Sequence, residues 1–325
     1  MKKEKQLHKK NNIAALANFF RTDFASVIEM KGADRLDLLN RLSTNAVASL
    51  LPQTGAATVL TNEKGRIIDV VQAIHFADRT LGFCSPNNGE TVIRWLKKFI
   101  IMADVRISEQ TAAFAQFEIH GESIHEQTPI FFDKDTPIVP MFHPREVSID
   151  GNVSCMTFRI TSIKSLGLKI IVSVENVNKV HQYLSELYPE LNDEEYRNMK
   201  IMFGMQTFDK ELKDAYNPLE AGLLHYVNFK KGCYIGQEVI ARLDSYNKVK
   251  QRIVGIVCSD PIHEGDVVYA DTQNIGNITS VCFDESEQKW FALAYIRTEY
   301  AIHDTFVSVQ GQQAYISSFP LRSHE

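Results

Sequence analysis

Apolar positions along the chain follow two different rhythms. Up to about residue 250, short β-like runs alternate with stretches of helical spacing. "ASVIEM" is followed by "GADRLDLLNRLSTN", in which Leu36, Leu39 and Leu42 share one helical face. "TVIRWLKKFI" repeats the pattern with Val92, Trp95, Leu96 and Phe99, and "VNKVHQYLSELY" carries a stripe of Val177, Val180, Tyr183, Leu184 and Leu187. From about Arg252 the helical spacing stops. Six short strand-like runs follow ("RIVGIVC", "DVVYA", "NITSVCF", "WFALAYI", "TFVSVQ", "AYISSF"), divided by Gly, Asn or Asp turns. Such a series predicts a small antiparallel barrel, because closure removes unpaired sheet edges. The expected fold class is α+β, with a body over residues 1–250 and a barrel over 251–325. "HEQTPIFFDKDTPIVPMFHP" at 125–144 holds four of the ten prolines and reads as a long irregular connection inside the body.

Composition narrows the function classes. At 325 residues and 44% apolar, the chain can bury a large core without a disulfide or metal staple. Its formal charge of -5 provides no overall field for RNA or a membrane surface, so direct RNA binding and a membrane partner are not expected, although a local basic patch stays possible. "MKKEKQLHKKNN" has five lysines but no apolar run behind it and neither Arg nor Ser, so residues 1–12 read as a mobile arm rather than a targeting segment. A cytoplasmic protein is expected. Five cysteines (Cys84, Cys155, Cys233, Cys258, Cys282) include no CxxC pair and no histidine at ligand spacing, so neither a disulfide framework nor a resident metal site is anticipated.

One cysteine stands apart. In "KKGCYIGQEVIAR", Cys233 lies between Gly232 and Gly236, and Ile235, Val239, Ile240 and Leu243 then recur at helical spacing. This places Cys233 in a turn at or just before a helix N-terminus, where backbone N–H groups and Lys230, Lys231 and Arg242 would favour a thiolate. The glycines would permit positive φ or a close backbone approach. Spacing alone leaves two readings open, a reactive thiol or a small buried hydrophobe. The other four cysteines lie in or beside apolar runs and read as packing residues, and His225 and His263 as structural or surface residues.

"KGCYIGQE", Lys231 to Glu238, resembles the signature of the YgfZ family of folate-binding proteins, within the wider superfamily of the glycine-cleavage T-protein, an aminomethyltransferase. "GADRLDLLNRLSTN" at 32–45, "LTNEKGRIIDV" at 60–70, "NPLEAGL" at 217–223 and "GNITSVC" at 276–282 are similar to other superfamily landmarks, in the right order. The resemblance implies a cloverleaf-like α+β body with a channel for tetrahydrofolate, followed by a small barrel. It also implies a role in the assembly or repair of iron-sulfur enzymes, including radical enzymes that thiolate tRNA. The partners would then be iron-sulfur enzymes or cluster-assembly proteins. Cys233 becomes the catalytic candidate, within a motif of Lys231, Gly232, Tyr234, Gly236, Gln237, Glu238 and Arg242.

Two departures from the aminomethyltransferases weigh on the chemistry. Where they carry two adjacent aspartates, "GRIIDVV" keeps Asp69 and has Val70 in the second place. Their "LR-x-E-x-G" element, whose glutamate recognises the pterin, has its counterpart in "MKIMFGM", with Lys200 and Met202 in place of Arg and Glu. A thioether cannot accept the pterin's hydrogen bonds but can pack on its ring face. Asp69 is then the surviving acid for the pterin, Lys64 or Arg66 can serve the glutamate tail, and Met202 and Glu220 complete the cofactor-binding candidates. Glu220, after Asn217-Pro218-Leu219, and Glu238 can equally be first-turn acids favoured by a helix dipole. The expectation is a folate-binding accessory protein rather than a classical aminomethyltransferase, with one-carbon transfer as the alternative and an RNA-contacting module as the weakest of the three.

Overall fold

The structure is a computed structural model and describes residues 17–22, 25–121, 141–149, 151–160 and 166–321. The arm at 1–12 and residues 125–140 of the proline-rich connection lie outside them. The chain divides into two compact units, one of residues 1–58 and 70–192, the other of 59–69 and 193–325.

The first unit is built on two five-stranded sheets, apart from residues 59–61 of β3 and 67–69 of β4, which group with the second unit. One has the order β1 (Asn18–Arg21), β7 (Phe114–Gly121), β10 (Leu166–Ser173), β9 (Val153–Ile160), β8 (Arg145–Ile149). Phe117 and Ile119 of β7, Leu168 and Ile170 of β10 and Phe19 of β1 face one way into a core closed by helix α3 (Val177–Leu187) through Val180 and Leu184. The second sheet has the order β3 (Thr54–Thr61), β4 (Ile67–His75), β5 (Thr80–Pro86), β2 (Ala25–Lys31), β6 (Arg106–Glu109). Two helices belong to this half of the unit, α1 (Arg35–Leu42) and α2 (Gly89–Lys97). In α1 the buried residues are Leu38, Leu39 and Leu42, so Leu36, expected on the core face, is only half-buried in the first turn. In α2, Val92 and Leu96 are buried as expected, while Phe99 falls beyond the helix end.

The second unit contains helix α4 (Asp193–Met202), helix α5 (Gln237–Ser245) and a closed barrel of β11 (Gln251–Cys258), β14 (Lys289–Arg297), β13 (Gln273–Asp284), β12 (Val267–Ala270), β15 (Phe306–Val309) and β16 (Gln312–Ser317). Pairing of Gly255 with Ser317 and of Ile256 with Ile316 closes the ring. Alternate residues point inward, among them Val254, Ile256, Ile278, Ala292, Ala294 and Ile296, which is the two-residue period of a barrel wall. The fold is therefore α+β with a closed six-stranded antiparallel barrel. The barrel strands begin at Gln251, while residues 193–250 group with the barrel rather than with the two-sheet unit. Among the described residues, no helix is long and apolar enough to cross a membrane.

Candidate functional site

Arg66, Glu220, Gly236 and the Cys233 segment meet inside the second unit, around the turn between β3 and β4. Asn62 shapes that turn. Its side-chain oxygen accepts the N–H groups of Lys64 (2.9 Å) and Arg66 (3.0 Å), and its carbonyl accepts Gly65 N–H at 2.9 Å. Gly65 has φ +66°, which a residue with a Cβ adopts only at a cost. The tip of the turn lies against the start of α5. A Cβ placed on Gly236 (φ +81°) would sit 2.5 Å from the Asn62 carbonyl oxygen and 2.8 Å from Gly65 Cα. Thr61 Oγ1 also donates to the Ile235 carbonyl at 2.9 Å. Gly236 is thus demanded by both conformation and space. Gly232 is not, because its Cβ position has no atom within 4 Å.

Cys233 lies in irregular backbone four residues before Gln237, the first residue of α5, and is exposed. The first N–H of the helix is used nearer by: Gln237 N–H donates to the Tyr234 carbonyl at 3.1 Å, and Gln237 Oε1 accepts Tyr234 N–H in return at 3.3 Å. Of the expected apolar stripe, Ile240 is buried, Leu243 is packed beside it, and Val239 is exposed. Exposure excludes the buried-hydrophobe reading of Cys233. The other four cysteines are buried, and desolvation pushes the Cys155 thiol up to about 11 and that of Cys282 up to about 12.

The cations expected around the thiol are disposed differently. Arg242 is exposed in the last turn of α5, at the far end of the helix from Cys233. Lys231 is half-buried, with Nζ 5.1 Å from the centroid of the Tyr234 ring, and burial lowers its pKa to about 8. Tyr234 packs with Leu219, Ile240 and Val249. Its hydroxyl is buried, has no hydrogen-bond partner among the described residues, and is pushed up to about 12 by desolvation. Glu238 is exposed in the first turn of α5.

Glu220 has a more structural setting than its position in the sequence suggested. Asn217 Oδ1 accepts the N–H groups of Leu219 (2.9 Å) and Glu220 (3.0 Å), and Glu220 Oε2 accepts Asn217 N–H in return at 3.0 Å. That reciprocal arrangement is a capping box, here closing a single turn rather than opening a helix. Arg66 Nη1 reaches the same oxygen at 3.2 Å and also donates to the Ala215 carbonyl at 2.9 Å. Burial raises the Glu220 pKa, opposed by the Asn217 N–H, Arg66, Gln251 and Lys250. Asp69 is fully buried on the face of β4 shared with Ile67 and Val71, and it takes part in a polar interaction within the protein. Val70, its neighbour, points to the opposite face, as the strand alternation requires. Met202 closes α4 and packs on an apolar cluster that includes Ile201, Val257, Phe291 and Leu321. The structure therefore brings Arg66, Glu220, Gly236 and the Cys233 segment together, and leaves Met202 in a separate apolar setting.

Sequence reasoning missed a buried polar latch in the same unit. Glu211, fully buried, accepts hydrogen bonds from Thr279 Oγ1 and Ser280 Oγ, both at 2.6 Å, and from Thr207 N–H at 2.9 Å. Tyr295 donates to the Glu211 carbonyl at 2.8 Å and stacks on Tyr216 with ring centroids 3.5 Å apart. The Thr-Ser pair inside "GNITSVC" was the available signal: neighbours in a regular strand point to opposite faces, and the register shift between Ile278 and Ser280 lets both hydroxyls reach one carboxylate. Among the described residues, no three His, Cys, Asp or Glu side chains are grouped to hold a metal ion.

A two-sheet α+β unit joined to a closed six-stranded barrel is the architecture of an aminomethyltransferase of the glycine cleavage system. The structure of that enzyme from Bartonella henselae superposes with a TM-score of 0.81, covering 97% of this chain and 88% of that one at 17% identity, a likeness of fold. The chain belongs to the glycine-cleavage T-protein family: residues 12–231 match its GCVT N-terminal domain, and residues 251–317 match the glycine cleavage T-protein C-terminal barrel domain. A chloroplastic protein of Arabidopsis thaliana with transferase in its name is 29% identical over 285 residues, 87% of this chain, which spans 66% of that relative's length. The aminomethyltransferase of Thermoanaerobacter pseudethanolicus is 24% identical over 301 residues, covering 88% of this chain and 79% of that one.

Proposed function

We propose that this chain is a folate-binding member of the family that supports the assembly or repair of iron-sulfur enzymes, tRNA-thiolating enzymes among them, with Cys233 as its working thiol. The observation that carries this reading is how the thiol is held. Cys233 is exposed while the residues after it are clamped: Tyr234 in its apolar cluster, Ile235 through the Thr61 hydroxyl, and Gly236 against the Asn62 turn. A thiol presented from fixed backbone suits an encounter with a partner protein, and the likeness of "KGCYIGQE" to the YgfZ signature supports the same assignment. The cluster is taken as the client enzyme's own.

The donor set fits a reduced folate. A pterin edge presents amide and amine groups; the buried Tyr234 hydroxyl, without a partner among the described residues, is a group of the kind such an edge satisfies, while the Asp69 and Glu220 carboxylates would exchange partners they already hold. Arg66 and Lys64 supply positive charge for a glutamate tail. When bound, the folate supplies a one-carbon carrier.

Aminomethyl transfer is the second reading, favoured by the names of the relatives. It is weakened by Val70, which puts a methyl-bearing side chain where a second carboxylate would orient the amine, and by Met202. Calorimetric titration with tetrahydrofolate and its one-carbon derivatives tests the folate site. Supplying tetrahydrofolate, ammonia and an aminomethyl-lipoyl carrier tests the reaction class, with no turnover above background expected. Robust turnover would establish the transferase instead. Complementation of a strain lacking the protein should fail for Cys233→Ser, and normal complementation would remove Cys233 from the proposal.

A further inference from the structure

The strongest unassigned surface is the turn that follows α2 in the first unit. Here the chain reads Trp95-Leu96-Lys97-Lys98-Phe99-Ile100-Ile101-Met102. Leu96 is buried against the sheet, yet Ile101 is 78% and Met102 101% exposed, so two adjacent large apolar side chains project fully into solvent. Met102 also holds φ +55°, a left-handed conformation that costs a side-chain-bearing residue energy and is kept here at the tip. Backbone hydrogen bonds from Phe99 to Leu96 (3.1 Å) and from Ile101 to Phe99 (3.1 Å) hold the turn in shape.

The segment that leads to the tip is cationic. Between Thr91 and Ala103 there are three basic residues, Arg94, Lys97 and Lys98, and no acid, in a chain whose net charge is -5. All three are exposed, with Arg94 3.5 Å from Glu90 one turn earlier. Beyond the tip, Asp104 Oδ2 accepts Ala33 N–H at 3.0 Å and Asp34 Oδ2 accepts Asp104 N–H at 2.8 Å. Behind the tip, Trp95 and Phe99 meet edge to face with centroids 5.0 Å apart, and Lys98 Nζ lies 5.0 Å from the indole centroid.

We propose that this turn is a docking point for an anionic lipid surface, into which Ile101 and Met102 insert while Arg94, Lys97 and Lys98 meet the headgroups. The charge of Arg94, Lys97 and Lys98 is complementary to anionic headgroups. Size argues against a protein partner held by this feature alone, because a stable protein interface buries roughly 1,000 Å² or more, and a convex tip of two side chains offers far less. A bilayer accepts a small apolar tip flanked by cations whose aliphatic stems lie along the apolar boundary.

The test is co-sedimentation of the full chain with vesicles of phosphatidylcholine alone and of phosphatidylcholine mixed equally with phosphatidylglycerol, at low salt and again at high salt. Binding to the anionic vesicles, lost at high salt and absent with the neutral ones, is expected. The double variant Ile101→Asp, Met102→Asp should bind about tenfold or more weakly, and Lys97→Glu, Lys98→Glu should abolish the preference for anionic lipid. Both variants change only exposed side chains, so an unchanged melting temperature checks that they fold. Equal binding to both vesicle types, binding to neither, or undiminished binding by the Ile101, Met102 variant would overturn the proposal. Self-association measured by light scattering that the same double variant abolishes, without vesicle binding, would assign the tip to a second copy and overturn the lipid assignment.

Discussion

Replacing Gly236 by alanine tests whether the Cys233 segment is held as described. Two costs combine. An alanine at φ +81° occupies the left-handed region, worth ~1–2 kcal/mol. Its Cβ would lie 2.5 Å from the Asn62 carbonyl oxygen and 2.8 Å from Gly65 Cα, both backbone atoms that cannot swing aside. Relieving that overlap should cost a further ~1–3 kcal/mol, as overpacking generally does. Gly236→Ala should therefore lose about 2–5 kcal/mol. Gly232→Ala is the control, because its Cβ meets nothing within 4 Å, and it should stay within about 0.5 kcal/mol of the parent. The assay is urea denaturation in a Trp95→Phe background, so that Trp290 in the barrel reports the second unit alone. With an m-value of about 2 kcal/mol/M, the midpoint of Gly236→Ala should fall by roughly 1–2.5 M at unchanged slope. If the two alanine variants unfold within 0.3 M of one another, the packing of the Asn62 turn on the start of α5 is not what holds this segment, and the presented-thiol argument fails with it.

Three further outcomes follow from the geometry. Iodoacetamide near neutral pH should label Cys233 well before Cys155, Cys258 or Cys282, which are buried and whose pKa values burial raises, as peptide mass spectrometry would record; comparable rates at all sites would contradict the exposure of Cys233. Lys231 titrates at about 8 in the folded chain against an ordinary 10.5, so between those values the unfolded state binds more protons and stability should rise with pH; Lys231→Met should flatten that rise, and an unchanged profile would show that the amine is not desolvated. Asp69→Asn should weaken reduced-folate binding by ~1.5–3 kcal/mol, about ten- to a hundredfold by calorimetry; asparagine is preferred to alanine because Asp69 is fully buried and engaged, so truncation would cost stability as well.

The part of this protein that its sequence determined unaided is the part made of near neighbours. The run "WFALAYI" became β14 over Lys289–Arg297, and "RIVGIVC" became β11 over Gln251–Cys258. A two-residue apolar period bounded by turn residues has few alternatives to a strand, and six in succession have few alternatives to a closed sheet. The Cys233 segment was legible for a different reason: two glycines and a cysteine in so short a run are uncommon, and a specific resemblance accompanied them. Helix faces were less certain. Leu36 and Val239 satisfied the spacing but not the burial, because a short helix leaves its first turn and its edges beyond the neighbouring element.

What only the tertiary structure decided is how distant residues were paired. Arg66 and Glu220 are 154 positions apart, and Thr61 and Ile235 are 174 apart. No local pattern encodes such partners, since each depends on where whole elements come to rest once their apolar faces are buried. The same holds for the two glycines of the motif. Both permit positive φ and look equivalent in the sequence, yet one lies open to solvent and the other is pressed against the backbone of a remote turn. Periodicity records which face of an element avoids water, but the identity of the neighbour across that face is set by the packing of the whole unit.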